Sequence, residues 1–379
     1  MIIKNASVFT EDRGFVKQDI YMKGAQFVKT EAEADADEVI DAEDCFAIPG
    51  LTDLHFHGCV GYDFCDGTYE AITKMAEYEA SVGVTSIVPA TMTLGEDTLE
   101  GICSTAAAYV KRVENDKAAE LCGINMEGPF IAASKKGAQN GAYIRKPDIA
   151  MFDRLNEASG HMVKLVAIAP ETEGAMEFIQ TEKKNTVLSI AHTAADYDTA
   201  AEAFEKGATH VTHLYNAMNP YTHRAPGPIA AAADAGAEVE LICDGVHIHP
   251  AVVRTTFKMF GDDKVILISD SMMATGLEDG NYSLGGQAVK VVGNLATLED
   301  GTIAGSATNL LDCMRTAVQK MHIPLESAVK CAAVNPAKSV GIYDRYGSIT
   351  PGKVANAVLL KKSDLTLQNV ILRGRRLGK

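Results

Sequence analysis

Two histidines, His55 and His57, stand two residues apart near the end of a short apolar run at residues 51–58. In a β-strand alternate side chains share a face, so both imidazoles are expected to project together. Imidazole nitrogens at this spacing can converge on one metal ion. The alternative is a pair of half-exposed histidines at a strand end, and only further ligands elsewhere in the chain would favour the metal.

The chain that carries this pair alternates apolar strand candidates with amphipathic helical stretches. The strand candidates are residues 54–57, 86–91, 123–127, 165–169, 187–192, 210–214, 241–244 and 265–270. The clearest helical stretches are residues 69–81, 197–206 and 250–260. Short buried strands alternating with helices predict an α/β fold, a (β/α)8 TIM barrel, with a doubly wound open sheet as the structural rival.

The two ends of the chain have a different pattern from the middle. Residues 1–48 contain short strand candidates separated by turns, and strand character returns after residue 345. We predict that residues 1–48 and 345–379 form a small β-sandwich domain and that residues 49–344 form the barrel. Residues 282–303 are typical of a β-hairpin, with turns at Gly285-Gly286 and Asp300-Gly301.

Six polar residues stand at the carboxyl ends of the predicted barrel strands, where the active sites of such barrels lie. They are His55, His57, Glu127, His192, His213 and Asp270. Each alone could be an ordinary rim residue, but four imidazoles and two carboxylates at corresponding positions match a mononuclear or dinuclear metal site.

Three other histidines need separate interpretations. His210 precedes His213 by three residues on the same predicted strand, so we expect it to face the other side and to have no role. His247 and His249 form a second His-x-His after the seventh strand. One of them is expected to contact substrate, with a structural place on the rim as the alternative.

Composition limits the class of protein and its partners. The chain has 379 residues and a formal net charge of −15, which argues against nucleic acid and anionic membrane surfaces as partners. Its eight cysteines include no Cys-x-x-Cys pair, which favours free thiols in a reducing compartment. We read no signal peptide and no apolar run of about 20 residues, so we expect a cytoplasmic protein.

Six motifs carry a resemblance to a known family over essentially the whole chain. They are Asp53-Leu54-His55-Phe56-His57-Gly58, Met126-Glu127-Gly128-Pro129-Phe130, Ala191-His192-Thr193, Thr212-His213-Leu214-Tyr215-Asn216-Ala217-Met218, Asp244-Gly245-Val246-His247 and Ser269-Asp270-Ser271-Met272. In these motifs the chain resembles the amidohydrolase superfamily and, within it, the N-acetylglucosamine-6-phosphate deacetylase family. The resemblance implies a deformed barrel, a small β domain from both termini and a homodimer.

The same resemblance implies roles for the six polar residues. Glu127, His192 and His213 would hold the main metal ion. His55, His57 and Asp270 would bind a second ion, and Asp270 would also be the catalytic acid and base. The cofactor would be one or two divalent ions per subunit, and zinc, iron, manganese and cobalt all suit such ligands.

The resemblance also implies a set of residues that contact a phosphorylated amino sugar. The set is Ala138, Gln139, Asn216, Ala217, Arg224, His247, Ile303, Ala304 and Gly305. Gln139 stands where some members have a histidine that polarises the substrate carbonyl, and its amide can donate a hydrogen bond but carries no charge. Arg224 precedes a predicted helix, and an arginine beside a helix N-terminus is suited to phosphate.

The expected reaction is removal of the acetyl group from N-acetylglucosamine 6-phosphate, giving glucosamine 6-phosphate and acetate. The galactosamine epimer remains open as a substrate. One alternative is another amidohydrolase activity, such as that of an N-acyl amino acid deacylase or a cyclic amidase. A second alternative is a barrel without enzymatic activity, against which the intact ligand set argues.

Overall fold

The computed structural model describes residues 1–112 and 115–378. Its N-terminal part consists of short strands. They are β1 (Ile2–Thr10), β2 (Gly14–Lys23), β3 (Gln26–Val28), β4 (Val39–Asp41) and β5 (Cys45–Pro49). A short 3₁₀ helix, Glu31–Glu33, lies between β3 and β4, and later 3₁₀ helices cover Phe64–Asp66, Ala133–Lys135 and Gly141–Tyr143.

The middle of the chain alternates strands with helices, as the sequence predicts. Its strands are β6 (Leu51–Asp53), β7 (Gly58–Cys59), β8 (Tyr62–Asp63), β9 (Val84–Ile87), β10 (Glu120–Leu121), β11 (Ile124–Met126), β12 (Val163–Ile168), β13 (Val187–Ile190), β14 (His210–Val211), β15 (Glu238–Ile242) and β16 (Val265–Ile268). Its helices are α1 (Tyr69–Ser81), α2 (Glu96–Arg112), α3 (Ile149–Ala158), α4 (Ala175–Glu182), α5 (Tyr197–Lys206), α6 (Gly227–Ala235) and α7 (Pro250–Phe260).

Apart from the short β7–β8 hairpin, these strands form two parallel sheets. One sheet has the order β10-β9-β6 and the other runs from β11 to β16 in sequence order. Backbone hydrogen bonds join the sheets on both sides: Asn125 donates to Pro89 at 2.9 Å, and Asp270 donates to His55 at 2.9 Å. Because the strands are parallel, their carboxyl ends lie at one edge.

The strands end earlier than the sequence predicts, and this corrects two expectations. The predicted strand 54–57 is wrong, because β6 ends at Asp53 and the peptide N–H of His57 instead bonds to the Ser271 carbonyl at 2.7 Å. The prediction that His210 faces away from the site is also wrong. It is fully buried, and its Nε2 lies 3.8 Å from a carboxylate oxygen of Glu240. The alternation rule failed because β14 ends at Val211, before His213.

The chain after β16 continues in an antiparallel sheet and then in helices. The sheet consists of β17 (Gly280–Leu284), β18 (Gln287–Val292), β19 (Leu295–Thr297) and β20 (Ile303–Ser306), with the predicted turns at Gly285-Gly286 and Asp300-Gly301. The helical part consists of α8 (Leu310–Gln319), α9 (Leu325–Val329), a π-helical segment (Lys330–Val334) and α10 (Asn335–Ser339). The sequence pattern predicts one helix over residues 325–340, and the structure differs from it in the π-helical segment between α9 and α10.

Strands from both chain ends share one sheet. The last strands are β21 (Ala357–Lys361), β22 (Leu367–Leu372) and β23 (Arg375–Arg376). The sheet order is β23-β22-β21-β5-β1-β2-β3, with β4 paired to β1. Leu359 of β21 pairs with Ala47 of β5, and both belong to a separate apolar core that also includes Val8 and Ile371. The exact division of the chain into two domains stays a prediction.

Two expectations drawn from composition can be compared with the described residues. All eight cysteines are free thiols, which agrees with the absence of a disulfide framework in the prediction. Among residues 1–112 and 115–378, no helix combines the length and the apolar character that crossing a membrane requires.

Candidate active site

The predicted ligands meet at the carboxyl edge of the parallel strands in two groups that share one carboxylate. The His192 group consists of Glu127, His192 and His213, and the His55 group consists of His55, His57 and Glu127. All five residues are buried. Glu127 therefore belongs to both groups.

The ligand atoms of the His192 group converge closely. The Nε2 atoms of His192 and His213 lie 3.1 and 3.0 Å from Oε1 of Glu127 and 3.1 Å from each other. His192 Nδ1 lies 2.8 Å from the Lys135 carbonyl oxygen, which can only accept, so Nδ1 carries the hydrogen and a neutral ring has its lone pair at Nε2. Ligands about 2.0–2.1 Å from a tetrahedral ion lie roughly 3.3 Å apart. The group therefore fits a divalent metal ion.

The His55 group is more open and lies beside Asp270. His57 Nε2 is 3.2 Å from Glu127 Oε2, and His55 Nε2 is 3.5 Å from Oε1. Asp270 Oδ1 lies 3.3 Å from His57 Nε2 and 3.7 Å from His55 Nε2. Among the described residues, His55 Nε2 is buried without a hydrogen-bond partner. A buried nitrogen in this state is satisfied by a metal ion, so this group also fits one.

Burial and neighbouring charges act in opposite directions on the acids and bases of the site. Burial lowers the pKa of His55, but the carboxylates of Glu240 and Glu127 outweigh it and raise that pKa to about 9. Burial raises the pKa of Glu127, but the charge of His55 and hydrogen bonds from His192 and His213 hold it well below its ordinary value. Glu127 is therefore a carboxylate at neutral pH.

The same balance applies to Asp270. Burial raises its pKa, but the hydrogen bond with His57 and the charge of His55 outweigh burial and lower it. Asp270 is thus ionised and able to accept a proton.

Three of the site residues have strained backbone directly after their strands. The φ angles of His192, His213 and Asp270 are 43°, 28° and 48°, in the left-handed region that non-glycine residues rarely adopt. Such strain persists only where surrounding contacts fix the conformation, and it concentrates at functional sites. Next to Glu127, Gly128 has φ of 83°, and a Cβ there would lie 2.0 Å from Thr93 Oγ1. Only glycine fits that position.

Sequence reasoning missed one buried acid, Glu240 of β15. Its Oε2 accepts a hydrogen bond from His55 Nδ1 at 2.8 Å and another from the His213 peptide N–H at 3.0 Å. The signal was present, because a glutamate inside a buried apolar strand needs a partner. The predicted strand 241–244 began too late to include it.

A cavity of 340 Å³ opens onto this centre and is lined by most of the predicted substrate residues. The predicted residues that line it are Ala138, Gln139, Asn216, Ala217, His247, Ile303 and Gly305. Ala304 is buried next to this wall. The structure does not bring Arg224 to the cavity, because Arg224 is exposed in the loop before α6 and is absent from the lining.

Gln139 is anchored in a way that the sequence did not predict. Its Oε1 accepts a hydrogen bond from the Thr93 peptide N–H at 2.6 Å, and its Nε2 donates to Glu127 Oε2 at 2.6 Å. Because a peptide N–H can only donate, the Thr93 contact fixes which end of the amide faces Glu127. Gln139 therefore ties Glu127 to the backbone.

The second His-x-His divides into two roles. His247 Nδ1 lies 2.8 Å from Oδ2 of Asp244, which fixes the ring while His247 lines the cavity. Oδ1 of Asp244 also accepts the His247 peptide N–H at 3.0 Å. The side chain of His249 accepts a hydrogen bond from the Ala251 N–H at 3.2 Å and caps α7. His247 is thus the cavity residue of the pair.

Comparison with known families identifies the class of protein. Residues 46–377 match the model of the amidohydrolase family. This span covers most of the chain, and it includes both histidine groups. The chain belongs to the amidohydrolase family.

More specific similarity is to deacetylases of phosphorylated amino sugars. The chain is 35% identical to the N-acetylglucosamine-6-phosphate deacetylase of Bacillus subtilis (strain 168), with 99% of this chain and 96% of the relative covered. It is 33% identical to the N-acetylgalactosamine-6-phosphate deacetylase of Escherichia coli O157:H7, with 86% of each covered.

A solved structure shows the same similarity in three dimensions. It is a mutant N-acetyl-D-glucosamine-6-phosphate deacetylase of Mycobacterium smegmatis in complex with N-acetyl-D-glucosamine-6-phosphate. The TM-score is 0.92 at 31% identity, with 100% of this chain and 99% of that chain covered. The chain thus has the amidohydrolase fold over its full matched length.

Proposed function

We propose that the protein is a metal-dependent deacetylase that hydrolyses N-acetylglucosamine 6-phosphate to glucosamine 6-phosphate and acetate. The observation that carries this proposal is the sharing of Glu127 by two histidine groups, beside Asp270 and at the floor of a cavity. Membership of the amidohydrolase family and similarity to deacetylases with this substrate support it.

The proposal includes a closed barrel as its scaffold. The two parallel sheets are hydrogen-bonded to each other on both sides, at Asn125 with Pro89 and at Asp270 with His55. An eight-stranded (β/α)8 barrel satisfies both junctions, if β10 and β11 are counted as one interrupted strand. A doubly wound open sheet has two unpaired edge strands, so it could not form both of these junctions.

The geometry of the two groups, with Asp270 beside them, supports the proposed metal ligands. The His192 group would hold the ion that the reaction requires. His55, His57 and Asp270 would hold a second ion next to it. A divalent ion at this centre polarises a carbonyl oxygen and makes water acidic enough to ionise near neutral pH.

Asp270 performs the proton transfers of the reaction. It is ionised and 7% exposed, at the edge of the cavity where water and substrate meet. It accepts the proton that the attacking water loses as a C–O bond forms at the acetyl carbon. When the C–N bond breaks, Asp270 returns that proton to the amine nitrogen, so acetate and a free amino sugar leave.

The substrate contacts follow from the cavity wall. His247 is held by Asp244, and its other ring nitrogen is available to a phosphate or a hydroxyl group. Asn216 and Ala217 also line the cavity, with φ of 51° at Ala217. Ile303 and Gly305 of β20 line it as well. Arg224 remains a proposed phosphate contact that its exposed loop would have to deliver.

The test compares turnover of N-acetylglucosamine 6-phosphate with turnover of unphosphorylated N-acetylglucosamine by the purified enzyme loaded with Zn²⁺ or Co²⁺. We expect a much larger kcat/KM for the phosphorylated sugar. Equal values would contradict the phosphate part of the proposal. Turnover of an N-acyl amino acid or a cyclic amide, with none of either sugar, would contradict the whole proposal.

A second candidate substrate is N-acetylgalactosamine 6-phosphate. The 33% identity to the Escherichia coli O157:H7 enzyme that is named for this epimer favours it. The two epimers differ only at the sugar C4 hydroxyl, so both fit the same metal chemistry. The ratio of kcat/KM for the two phosphosugars decides between them.

The homodimer implied by the family resemblance is also a proposal. Light scattering on the protein as it elutes from a size-exclusion column measures its molar mass and tests the proposal directly. A dimer gives twice the chain mass of 40.4 kDa, and a value of one chain mass would contradict it.

A further inference from the structure

Glu240 is a fully buried carboxylate in β15 that contacts residues of both histidine groups. We propose that Glu240 is a positioning residue that couples the His192 group to the His55 group. The proposal rests on the metal centre described above, but it concerns metal binding and does not depend on which amide the enzyme hydrolyses.

The first contact fixes the ring of His55. Glu240 Oε2 lies 2.8 Å from His55 Nδ1, and a carboxylate oxygen can only accept, so Nδ1 carries the hydrogen. In the neutral ring the lone pair is then at Nε2, which faces Glu127 Oε1 at 3.5 Å and Asp270 Oδ1 at 3.7 Å. A carboxylate behind a histidine in this way orients the ring and makes it a stronger ligand.

The second contact fixes the backbone of His213. The same Oε2 atom accepts the peptide N–H of His213 at 3.0 Å, where φ is 28°. Since this backbone conformation is strained, it depends on such contacts to persist. His213 Nε2 belongs to the His192 group, so one oxygen atom holds a ring of one group and a backbone turn of the other.

The charge of Glu240 also affects the centre. Its two ion-pair contacts among the described residues are with His55 and His210, at 2.8 and 3.8 Å. His210 Nδ1 is itself engaged at 2.8 Å with Ser189 Oγ. A buried carboxylate is stable only with compensating positive charge. Together with Glu127 and Asp270, Glu240 therefore favours cations at the four ligand histidines.

The experiment measures metal binding by Glu240→Gln, which removes the charge and retains the shape. The protein is stripped with a chelator and titrated with Co²⁺, whose visible absorption reports the number of bound ions and their dissociation constants. We expect the dissociation constant of at least one Co²⁺ ion to rise by about 10–100-fold, the usual effect of losing such a partner.

Glu238→Gln is the matched control, because Glu238 is the half-buried first residue of the same strand and belongs to neither histidine group. It should bind Co²⁺ like the wild type. If the Co²⁺ affinities of Glu240→Gln and Glu238→Gln agree within twofold, the proposal is wrong.

Coupling is tested by repeating Glu240→Gln in a His55→Asn background. Because the His213 contact remains there, we expect a smaller weakening of Co²⁺ binding than in the wild type, and not zero. An equal weakening in both backgrounds would show that the His55 contact contributes nothing. No weakening at all in the His55→Asn background would remove the His213 contact from the proposal. Either result overturns the coupling.

Circular dichroism and thermal unfolding establish that each variant folds. If Glu240→Gln does not fold, Glu240→Asp takes its place, because it retains the charge and withdraws the oxygen from both partners. Its Co²⁺ affinity should also fall at least tenfold, and wild-type affinity would overturn the proposal. An enzyme that binds Co²⁺ normally but does not hydrolyse phosphosugars would refute the proposed function and leave this inference intact.

Discussion

The His192 group and the His55 group share Glu127 but are built differently. In the His192 group the three ligand atoms lie 3.0–3.1 Å from one another, and both histidines reach the cavity. In the His55 group the Nε2 atoms of His57 and His55 lie 3.2 and 3.5 Å from Glu127, and His55 itself is fully buried.

The groups that orient the ligand histidines also differ in charge. A neutral backbone carbonyl, that of Lys135, orients His192. The carboxylates of Glu240 and Asp270 surround His55 and His57. Backbone support arranges ligands without adding charge, whereas carboxylates add the negative charge that a second cation needs. This difference supports our proposal that the His192 group holds the ion the reaction requires and that the His55 group holds an additional one.

The largest expected effect comes from removing a ligand of the His192 group. His192→Asn should lower kcat/KM by about 10³-fold or more, because the Lewis acid supplies several kcal/mol of transition-state stabilisation. The measurement is acetate release together with metal content by mass spectrometry.

The matched variant in the His55 group is His57→Asn. It makes the same substitution at a histidine that lies near Oε2 of Glu127, whereas His192 lies near Oε1. It should retain one ion per chain and lose less activity than His192→Asn. A larger loss of activity in His57→Asn than in His192→Asn would contradict the proposal that the His192 group holds the ion the reaction requires.

Asp270→Asn separates proton transfer from metal binding. The amide cannot accept the proton of the attacking water, so kcat should fall by ~10²–10⁴-fold while the His192 group retains its ion. Kinetics and metal analysis of the same preparation provide the measurement. Asp198→Asn, at an exposed position of α5, is the control and should match the wild type. Near-normal turnover by Asp270→Asn would remove Asp270 from acid–base catalysis.

Gln139→Leu tests the contact between Glu127 and the backbone. Without the 2.6 Å hydrogen bond from Gln139, Glu127 Oε2 loses its contact to the backbone through Gln139, and we expect a roughly 10–100-fold loss in metal affinity or activity. If the loss appears in Co²⁺ affinity, Gln139 acts through Glu127. A loss in kcat alone, with Co²⁺ affinity unchanged, would instead support the predicted role in polarising the substrate carbonyl.

Removal of the metal ion by a chelator should produce the smallest effect, a decrease in the free energy of unfolding. At a free ion concentration of 100 times Kd, metal binding stabilises the folded state by about 2.7 kcal/mol. For a chain of 379 residues, with an unfolding entropy of about 2.1 cal/mol/K per residue, this corresponds to a fall in Tm of about 3 °C when the ion is removed. Differential scanning calorimetry measures it. The Tm of His57→Asn should still fall on chelation, whereas that of His192→Asn should change little.

The helices were more predictable than the strands. The bounds of α1, α5 and α7 agree with the sequence, because helix ends are marked by local residues such as Pro250 at a start and Gly207 at a stop. Strand ends depend on neighbouring strands that are distant in the sequence. The left-handed residues after β13, β14 and β16 are fixed by such contacts, so no local pattern marked them.

The candidate site was predictable as a set of residue types but not as a network. Chemistry-bearing residues at strand ends can be read from the chain, and both groups contain the predicted histidines. Glu240 and the anchoring of Gln139 by Thr93 depend on side-chain contacts across the fold. The position of Arg224 depends on the path of an exposed loop, which its helix-proximal sequence did not determine.

Anomalous diffraction from crystals loaded with Co²⁺ tests the central claim most directly. The strongest anomalous peak should lie about 2.0–2.2 Å from Nε2 of His192, Nε2 of His213 and a carboxylate oxygen of Glu127. A second, weaker peak beside His55 and His57 would agree with the difference between the two groups. A peak only beside His55 and His57, with none at the His192 group, would contradict it.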